Sequence, residues 1–358
     1  MTVAGNAIHA DEMALCSRLS AFIDAALPSQ DEIIAHWQGE PEQPLVSVFC
    51  ATFNHQDYIE DALKGFVLQQ TPFAFEVIVH DDASTDDTAS IVRAWAARYP
   101  AIIKPVLQTQ NQHSLGIKPS AAMRPCSSGA YIALCEGDDY WIDPLKLARQ
   151  AVVLQSDPTI AMVVHNAVIS DGGRLKRFSK TSQPRVFSET DILNTDRQFA
   201  PTASYLFRRE LYEILPDWFG SAPVGDLYIE LYCQKLGRGY YLPEMMSVYR
   251  RGVPGSWSEG MEHSRQQKIQ FLRTNMACLA KLIDDFPQAR RAIQAKIRRS
   301  QHRLLSNLME QGDNGALCAA IENLHMPRQR LHLFLLDKLG LSALRLALAL
   351  ERRIAKQR

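Results

Sequence analysis

From Leu45 onward the chain alternates short apolar runs with amphipathic segments, and most of the apolar runs end in polar or acidic residues. Leu45–Ala51, Phe75–His80, Ile102–Gln108, Ala130–Cys135 and Ile160–Ile169 are short and largely apolar, most of them rich in β-branched or aromatic residues, and read as strands. Between them, Asp57–Gln70, Asp86–Tyr99 and a segment running from Asp143-Pro144 to about Gln155 carry helical spacing. The Asp-Pro step supplies an N-cap and a first-turn proline. Such alternation predicts an α/β domain, a mostly parallel sheet with helices on both faces.

The flanks follow another rhythm. Ala10–Leu27 is amphipathic at helical period, and Ser29-Gln30-Asp31-Glu32 has the spacing of a capping box opening a second short helix. Pro41 and Pro44 then mark a boundary. Further on, Gln198–Phe207 reads as extended, Arg209–Leu215 and Gly225–Leu236 as helical, and Tyr240–Arg250 as a strand. From about Glu262 the pattern is helical, with breaks near Pro287, Gly312–Gly315 and Pro327. The expected division is a helical N-terminal extension over 1–43, an α/β domain over 44–260 and a helical C-terminal region over 261–358.

Charge and composition narrow the partners. The 358 residues include 39 Lys/Arg and 39 Asp/Glu, which predicts no nucleic-acid partner. The balance is uneven, because residues 286–358 hold 14 Lys/Arg against 5 Asp/Glu and so carry +9, leaving −9 on residues 1–285. Such a tail suits a solvated or self-contacting face, or an anionic lipid surface. Arg290, Arg291, Arg298 and Arg299 suit an acceptor-side wall, a dimer surface or a membrane-facing plate. Leu341–Arg358, with Arg352, Arg353, Lys356 and Arg358 beside leucines, suits core packing or an interfacial helix.

Seven scattered cysteines with no CxxC pair fit reduced thiols in a cytoplasmic protein. No basic stretch leading into an apolar block opens the chain, so no signal peptide is expected. Leu331–Leu350 is interrupted by Asp337, Lys338 and Arg345, whereas a spanning helix needs roughly 20 nearly uncharged residues. The expectation is a cytoplasmic protein, with peripheral contact at the inner face of the membrane as one role for its basic end.

Candidate chemistry sits at the ends of two apolar runs. Phe75–His80 closes on Asp81-Asp82-Ala83-Ser84-Thr85-Asp86-Asp87-Thr88, and Tyr131–Cys135 closes on Glu136-Gly137-Asp138-Asp139. In open α/β sheets, ligands bind at the carboxyl ends of the strands. Carboxylates gathered there repel one another and lose solvation, so a cation is expected to share the site. Mg²⁺ or Mn²⁺, with water positions left open for diphosphate oxygens, accounts for the pattern. Each cluster also has a plainer reading, as a helix N-cap or a solvated turn. Capping near Asp86 leaves Asp81 and Asp82 unexplained, and carboxylates placed there suit hydrogen bonds from a base or ribose. The first strand ends in Ala51-Thr52-Phe53-Asn54, a turn with an aromatic face for base stacking.

In order and spacing, the segments Val46–Asn54, Val79–Thr88 and Gly129–Asp139 together resemble the inverting nucleotide-sugar glycosyltransferases of family 2, of the bacterial polysaccharide-biosynthesis type. The resemblance covers about residues 45–257. It implies a GT-A fold and sugar transfer from a nucleoside-diphosphate donor, a UDP-sugar first, to a glycan or lipid-linked acceptor in surface-polysaccharide assembly. Thr52, Phe53 and Asn54 would line the base pocket, with Asp82 reading the base and Asp81 nearby. Asp138 would face the ribose or metal, and Asp139 would coordinate the Mn²⁺ or Mg²⁺ that holds the diphosphate.

The resemblance also places the family's base at Asp226, in Gly225-Asp226-Leu227, where it would take the proton of the attacking hydroxyl. Read alone, Asp226 is equally an N-cap. The family's Tyr-Arg-x-His…Ser-x-Ser segment appears here as Tyr249-Arg250-Arg251 and then Ser256-Trp257-Ser258, without the histidine. Arg250 or Arg251 would then supply positive charge, and Trp257 a face for a sugar. Ala51 replaces the family's proline, and Glu-Gly-Asp-Asp departs from Asp-x-Asp, which leaves open which carboxylate takes the metal. His165-Asn166, at another strand end, either faces the acceptor or is structural.

Three rival readings stand beside this one. An aspartate-nucleophile phosphohydrolase needs Asp-x-Asp after its first catalytic strand, and Asp81 is followed two residues later by Ala83. A sugar-nucleotide pyrophosphorylase carries a glycine-rich basic loop after the first strand, which is not evident here. A non-catalytic nucleotide-sugar-binding or scaffold module would not require Asp226.

Overall fold

A computed structural model describes residues 3–312, 314–323, 342 and 344–349. They form two compact units, one over residues up to Ile192 with Arg197–Ser221 and Gly225–Gly255, the other over Leu193–Asp196, Ala222–Val224 and the chain from Ser256 onward.

The first unit holds ten strands: β1 Val46–Thr52, β2 Phe75–Asp81, β3 Ile103–Leu107, β4 Tyr131–Leu134, β5 Tyr140–Trp141, β6 Ile160–Asp171, β7 Arg174–Arg177, β8 Arg185–Phe187, β9 Leu206–Arg208 and β10 Arg238–Arg251. They make one mixed sheet in the order β3-β2-β1-β4-β9-β6-β10-β5, with β7 beside β6 and β8 beside β10. Strands β1 to β4 are parallel, β9 enters antiparallel between β4 and β6, and β10 runs parallel to β6. The mixed sheet with flanking helices is the one expected from the alternation.

β1 and β2 are nearly buried throughout, as parallel strands covered on both faces must be. Ile59–Val67 lays Ala62, Leu63, Phe66 and Val67 on this sheet, and Lys146–Ser156 lays down Leu147, Ala151 and Leu154. At the amino edge, buried Glu76 accepts from Ser47 Oγ (2.6 Å), Ser128 N (2.6 Å) and Lys104 Nζ (2.5 Å), which pins the register of β1, β2 and β3. The N-terminal helix Val3–Asp24 buries Leu15 and Phe22 among Ile142, Val168, Met245 and Val248. The expected capping box at Ser29 and Glu32 forms.

Two expected elements differ. Pro201 fixes its backbone and accepts from Ser204 N at 2.8 Å, so much of Gln198–Phe207 is a 3₁₀ turn (Thr202–Ser204) and only Leu206–Arg208 becomes strand. The helix expected from Asp143 starts at Lys146 instead. The Asp143 carboxylate accepts from Leu145 N and pairs with Arg18 and Arg149, so it stabilises the approach rather than the helix's first turn.

The second unit is helical, with Trp257–His263, Arg265–Asp285, Arg290–Gln311 and Asn314–Asn323 around Ile269, Leu272, Leu304, Leu305 and Leu308. Part of its basic charge is committed internally. Lys296, Arg299 and Arg303 donate to the carbonyls of Thr195, Leu193 and Asp196, and Arg299 also pairs with the Asp196 carboxylate. Arg290, Arg291 and Arg298 are exposed. Pro327 and most of Leu331–Leu350 and Leu341–Arg358 lie outside the described residues. Among the described residues no helix is long and apolar enough to cross a membrane. All seven cysteines are free.

One cation lies in the core. Lys146 is fully buried, its Nζ 3.9 Å above the Trp141 ring centre and 2.8 Å from Gln150 Oε1. Burial pushes its ammonium from the usual 10.5 down to about 7. The unfolded chain therefore binds more protons than the folded one between about pH 7 and pH 10, and stability rises with pH across that window. Lys146→Met is expected to raise the unfolding midpoint at pH 7 and to flatten that rise. Thermal melts of both proteins between pH 7 and 10 check this, and an equally steep rise in the variant would refute it.

Candidate active site

β1 lies between β2 and β4, parallel to both, so the chain leaves it in opposite directions and opens a crevice at its carboxyl end. All three acidic or aromatic segments meet there. The ladder extends past the strands, with Asp82 N on Thr52 O (3.0 Å) and Gly137 N on Ala51 O (2.8 Å). Thr52 is buried beneath the second acidic loop. A Cβ on Gly137 would stand 2.7 Å from Thr52 Oγ1, so only glycine lets that loop lie flat on β1. Phe53, 39% exposed, presents its ring at the crevice edge.

The first acidic segment is tied up by its own protein. Asn54 sits at φ 55°, its Oδ1 accepting from Thr85 N (2.8 Å) and its N donating to Ser84 Oγ (2.8 Å). Ser84 in turn donates through N and Oγ to the Asp81 carboxylate. Gln56 N donates to Asp86, and His55 N to Thr88 Oγ1. Both Asp82 oxygens accept backbone N–H groups, from Gln112 (2.6 Å) and His113 (3.0 Å). Asp81 and Asp82, expected to stand open to a base, are buried and hold three turns in place.

The second segment is open. Glu136 is exposed, and Asp138 and Asp226 are half-buried. Asp226 begins the helix Asp226–Leu236 as its first residue, with Gly225 at the cap position, and its Oδ1 accepts from Leu227 N at 2.8 Å. Although part of Glu136 reaches solvent, the crevice withdraws its carboxylate from bulk water. That loss, with the charges of Asp138 and then Asp226, pushes it up to about 8. The charge of Asp226 reaches Glu136, so the start of this helix lies near the acidic loop. The sequence reading passed over Glu136, yet its spacing from Asp138, Glu-x-Asp, was the available signal.

Asp139 lies deeper, 1% exposed. Its Oδ1 accepts from Arg250 N at 2.8 Å, and its Oδ2 is sealed without a hydrogen-bond partner. Burial, then the charges of Asp138 and Glu136, pushes this acid well above the carboxylate range. Expected with Asp138 as a metal ligand, it lies at the floor of the loop with one oxygen unengaged. Arg250, expected on the diphosphate, is engaged elsewhere: Nη1 donates to Asp138 O (2.9 Å), Nη2 pairs with Asp61, and the guanidinium lies 4.3 Å from the Tyr140 ring centre and 5.3 Å from that of Tyr58.

Neighbouring candidates are also placed. Arg251 pairs with Asp171 at 3.5 Å. His165 is fully buried with Nδ1 2.7 Å from Asn166 O, and Asn166 binds Ala167 and Ser179, so this pair fixes β6 and does not face an acceptor. In the second unit, Trp257 is exposed and sets its ring edge-on to Phe271 at 5.5 Å.

Among the described residues no three His, Cys, Asp or Glu side chains form a ready metal cage. Carboxylates crowded at the mouth, with an unpaired carboxylate oxygen below, nonetheless fit a cation. An ion that takes one or two carboxylates and completes its shell with water and phosphate needs no such cage.

Residues 47–215 match the family model for glycosyl transferase family 2. An uncharacterized protein of Mycobacterium tuberculosis (strain H37Rv) is 36% identical over 225 residues, which cover 62% of this chain and 63% of the relative, so the chain spans under two thirds of that protein's length. Staphylococcus aureus TarS 1–349 in complex with UDP is similar in fold, with a TM-score of 0.54 at 18% identity over 86% of this chain and 91% of that one. So is the mannosyltransferase PcManGT from Pyrobaculum calidifontis in complex with GDP-Man and Mn²⁺, with a TM-score of 0.51 at 21% identity over 98% and 94%. Thr52, the two acidic segments and the switch point between β2 and β4 all fall inside the matched span, and residues 47–215 are a family 2 glycosyltransferase domain with the GT-A fold.

Proposed function

We propose that the chain is a metal-dependent inverting glycosyltransferase, moving a sugar from a UDP-linked donor to a hydroxyl of a glycan in polysaccharide assembly. One observation carries this reading. Asp226, far along the chain, shares its electrostatic environment with Glu136 at the mouth of the crevice. A carboxylate poised opposite an acidic, cation-seeking loop is the pair that a single displacement at an anomeric carbon needs.

In this reading Phe53 stacks on the base, and the Thr52–Asn54 turn, braced by Asp81 and Ser84, walls it. Asp82 holds the backbone of Gln112 and His113 against the same pocket. The diphosphate faces Asp138 and Glu136, which would hold the Mn²⁺ or Mg²⁺, with Asp139 and Arg250 fixing the loop from behind. That ion supplies positive charge to the leaving diphosphate. The acceptor hydroxyl gives its proton to Asp226 as its oxygen attacks the anomeric carbon from the face opposite the diphosphate. The bond from that carbon to the diphosphate oxygen breaks, the electron pair leaves with the nucleoside diphosphate, and configuration inverts. TarS with UDP and the mannosyltransferase with GDP-Man and Mn²⁺ support donors of this class on this fold.

Calorimetric titration with UDP and with GDP, in Mn²⁺ and then in EDTA, tests the donor. UDP is expected to bind more tightly than GDP, and chelation to weaken it by about tenfold, roughly 1.4 kcal/mol. Binding that ignores EDTA would remove the metal from the reading. Asp138→Asn is expected to lose the response to Mn²⁺ while remaining folded by circular dichroism.

Asp226→Asn separates chemistry from binding. It is expected to hold UDP within about twofold of wild type and to lower donor turnover by about 10³, within the range for removing a general base. Unchanged turnover would sink the assignment of the base and favour a donor-binding module.

A further inference from the structure

We propose that the N-terminal helix Val3–Asp24, outside the span of the glycosyltransferase domain, is a positioning strap for the acidic loop, acting through Phe22, Tyr140 and Arg250. The proposal deepens the donor-site reading above and rests on it for its functional consequence.

The contacts run in series. Phe22 is buried, and its ring lies 5.0 Å from that of Tyr140, tilted by 33°. Tyr140 is covered in turn by the Arg250 guanidinium at 4.3 Å. Arg250 then grips the loop through both backbone and side chain, its N on Asp139 Oδ1 and its Nη1 on Asp138 O. Tyr58 at 5.3 Å and Asp61 complete its surroundings. The helix is itself anchored. Leu15 packs in the core with Ile142, Val168, Met245 and Val248, while Arg18 donates to Met245 O at 2.9 Å and approaches Asp143 at 3.7 Å. Lys64 Nζ donates to Ile23 O at 2.9 Å and lies 5.1 Å from the Phe22 ring centre.

The arrangement answers a specific problem. Beyond Gly137 the acidic loop leaves the β1 ladder, and its adjacent carboxylates repel one another. A guanidinium that close to Asp138 would, if free to turn, pair with the carboxylate and occupy the place of a cation. Held between two tyrosines and paired with Asp61, it is aimed at the Asp138 carbonyl instead. Its side chain then organises the loop through a carbonyl, while its charge offsets only part of the loop's repulsion. Phe22 supplies the far wall that keeps Tyr140, and so Arg250, in that orientation.

The test compares Phe22→Ala and Tyr140→Leu with Leu15→Ala, which removes buried apolar surface from the same helix and the same cluster but leaves both rings of the stack in place. Amide hydrogen exchange is read over residues 138–141 of the full chain, free of nucleotide and metal, together with UDP affinity in Mn²⁺. Phe22→Ala and Tyr140→Leu are expected to speed exchange there by about tenfold and to weaken UDP binding by a similar factor. Leu15→Ala is expected to lower the melting temperature while leaving both within about twofold of wild type. Phe22→Tyr, which keeps the ring, is expected to restore both. If Phe22→Ala matches Leu15→Ala over 138–141, the strap is wrong. If exchange responds as expected but the wild-type protein binds no nucleoside diphosphate, the strap stands and the donor-site reading falls.

Discussion

Acidic side chains crowded together at one sheet edge are the constraint on which this site depends. Glu136, Asp138, Asp139 and Asp226 share one electrostatic environment at the carboxyl edge of the sheet, and two of them are pushed well above the carboxylate range. Holding such a cluster together costs repulsion and desolvation, and the cost grows with depth. Asp139, the deepest, keeps an unpaired oxygen and a single backbone donor. A fold selected only for stability would place a cation there. Instead the nearest guanidinium, on Arg250, is turned onto a carbonyl and onto Asp61, away from the loop's carboxylates. Glu136 and Asp139 answer the crowding by holding their protons more tightly, and the packing of β1, β2 and β4 keeps the acids from moving apart.

The two acidic segments meet this constraint in opposite ways. The first is closed: Asp81, Asp82 and Asp86 each accept backbone N–H groups, so their charge is spread over the turns they organise. Charge-assisted bonds of this kind are strong and leave little for a ligand to gain. The second is open, because Gly137 lets the loop lie on Thr52 while Glu136 and part of Asp138 reach solvent. One wall of the crevice is therefore rigid before any ligand arrives, and the other is electrostatically incomplete. A site built this way gains affinity where a cation enters and geometry where a base and ribose would rest.

Much of the fold was legible in the sequence because parallel strands buried on both faces must be short, apolar and β-branched, as β1 and β2 are. What escaped were short strands whose existence depends on partners: β5 has two residues, and β7 and β8 form only beside β6 and β10. The site was legible in position more than in role. Spacing put Thr52, Phe53 and Asp138 at strand ends, and only the family resemblance added Asp226, but a carboxylate's residue type does not say which hydrogen bonds it already makes. Asp81 and Asp82 looked available because the turns they brace are formed by residues up to 31 positions away. Glu136 stood in the cluster without a role of its own: its spacing from Asp138 was there to be read, but the added charge of Asp226 comes from a neighbour visible only once the chain has folded.

The same logic explains why residues outside the matched domain bear on its chemistry. Signature segments can bring the right groups to a sheet edge, because strand register is fixed by hydrogen bonds within the domain. They do not fix the angle of a loop that has left the ladder. Tyr140 and Trp141 belong to that loop's descent, and they are held from both sides: Trp141 by Phe66 and by Gly65, whose missing side chain admits its backbone, and Tyr140 by Phe22 and Arg250. Three of these four come from inside the domain's own sequential neighbourhood or from the closing strand, while Phe22 comes from a helix that precedes it. Loop position in this protein is thus a joint property of the domain and its extension. Variation in that extension is a route by which otherwise similar crevices can differ in how firmly they hold the same acidic loop.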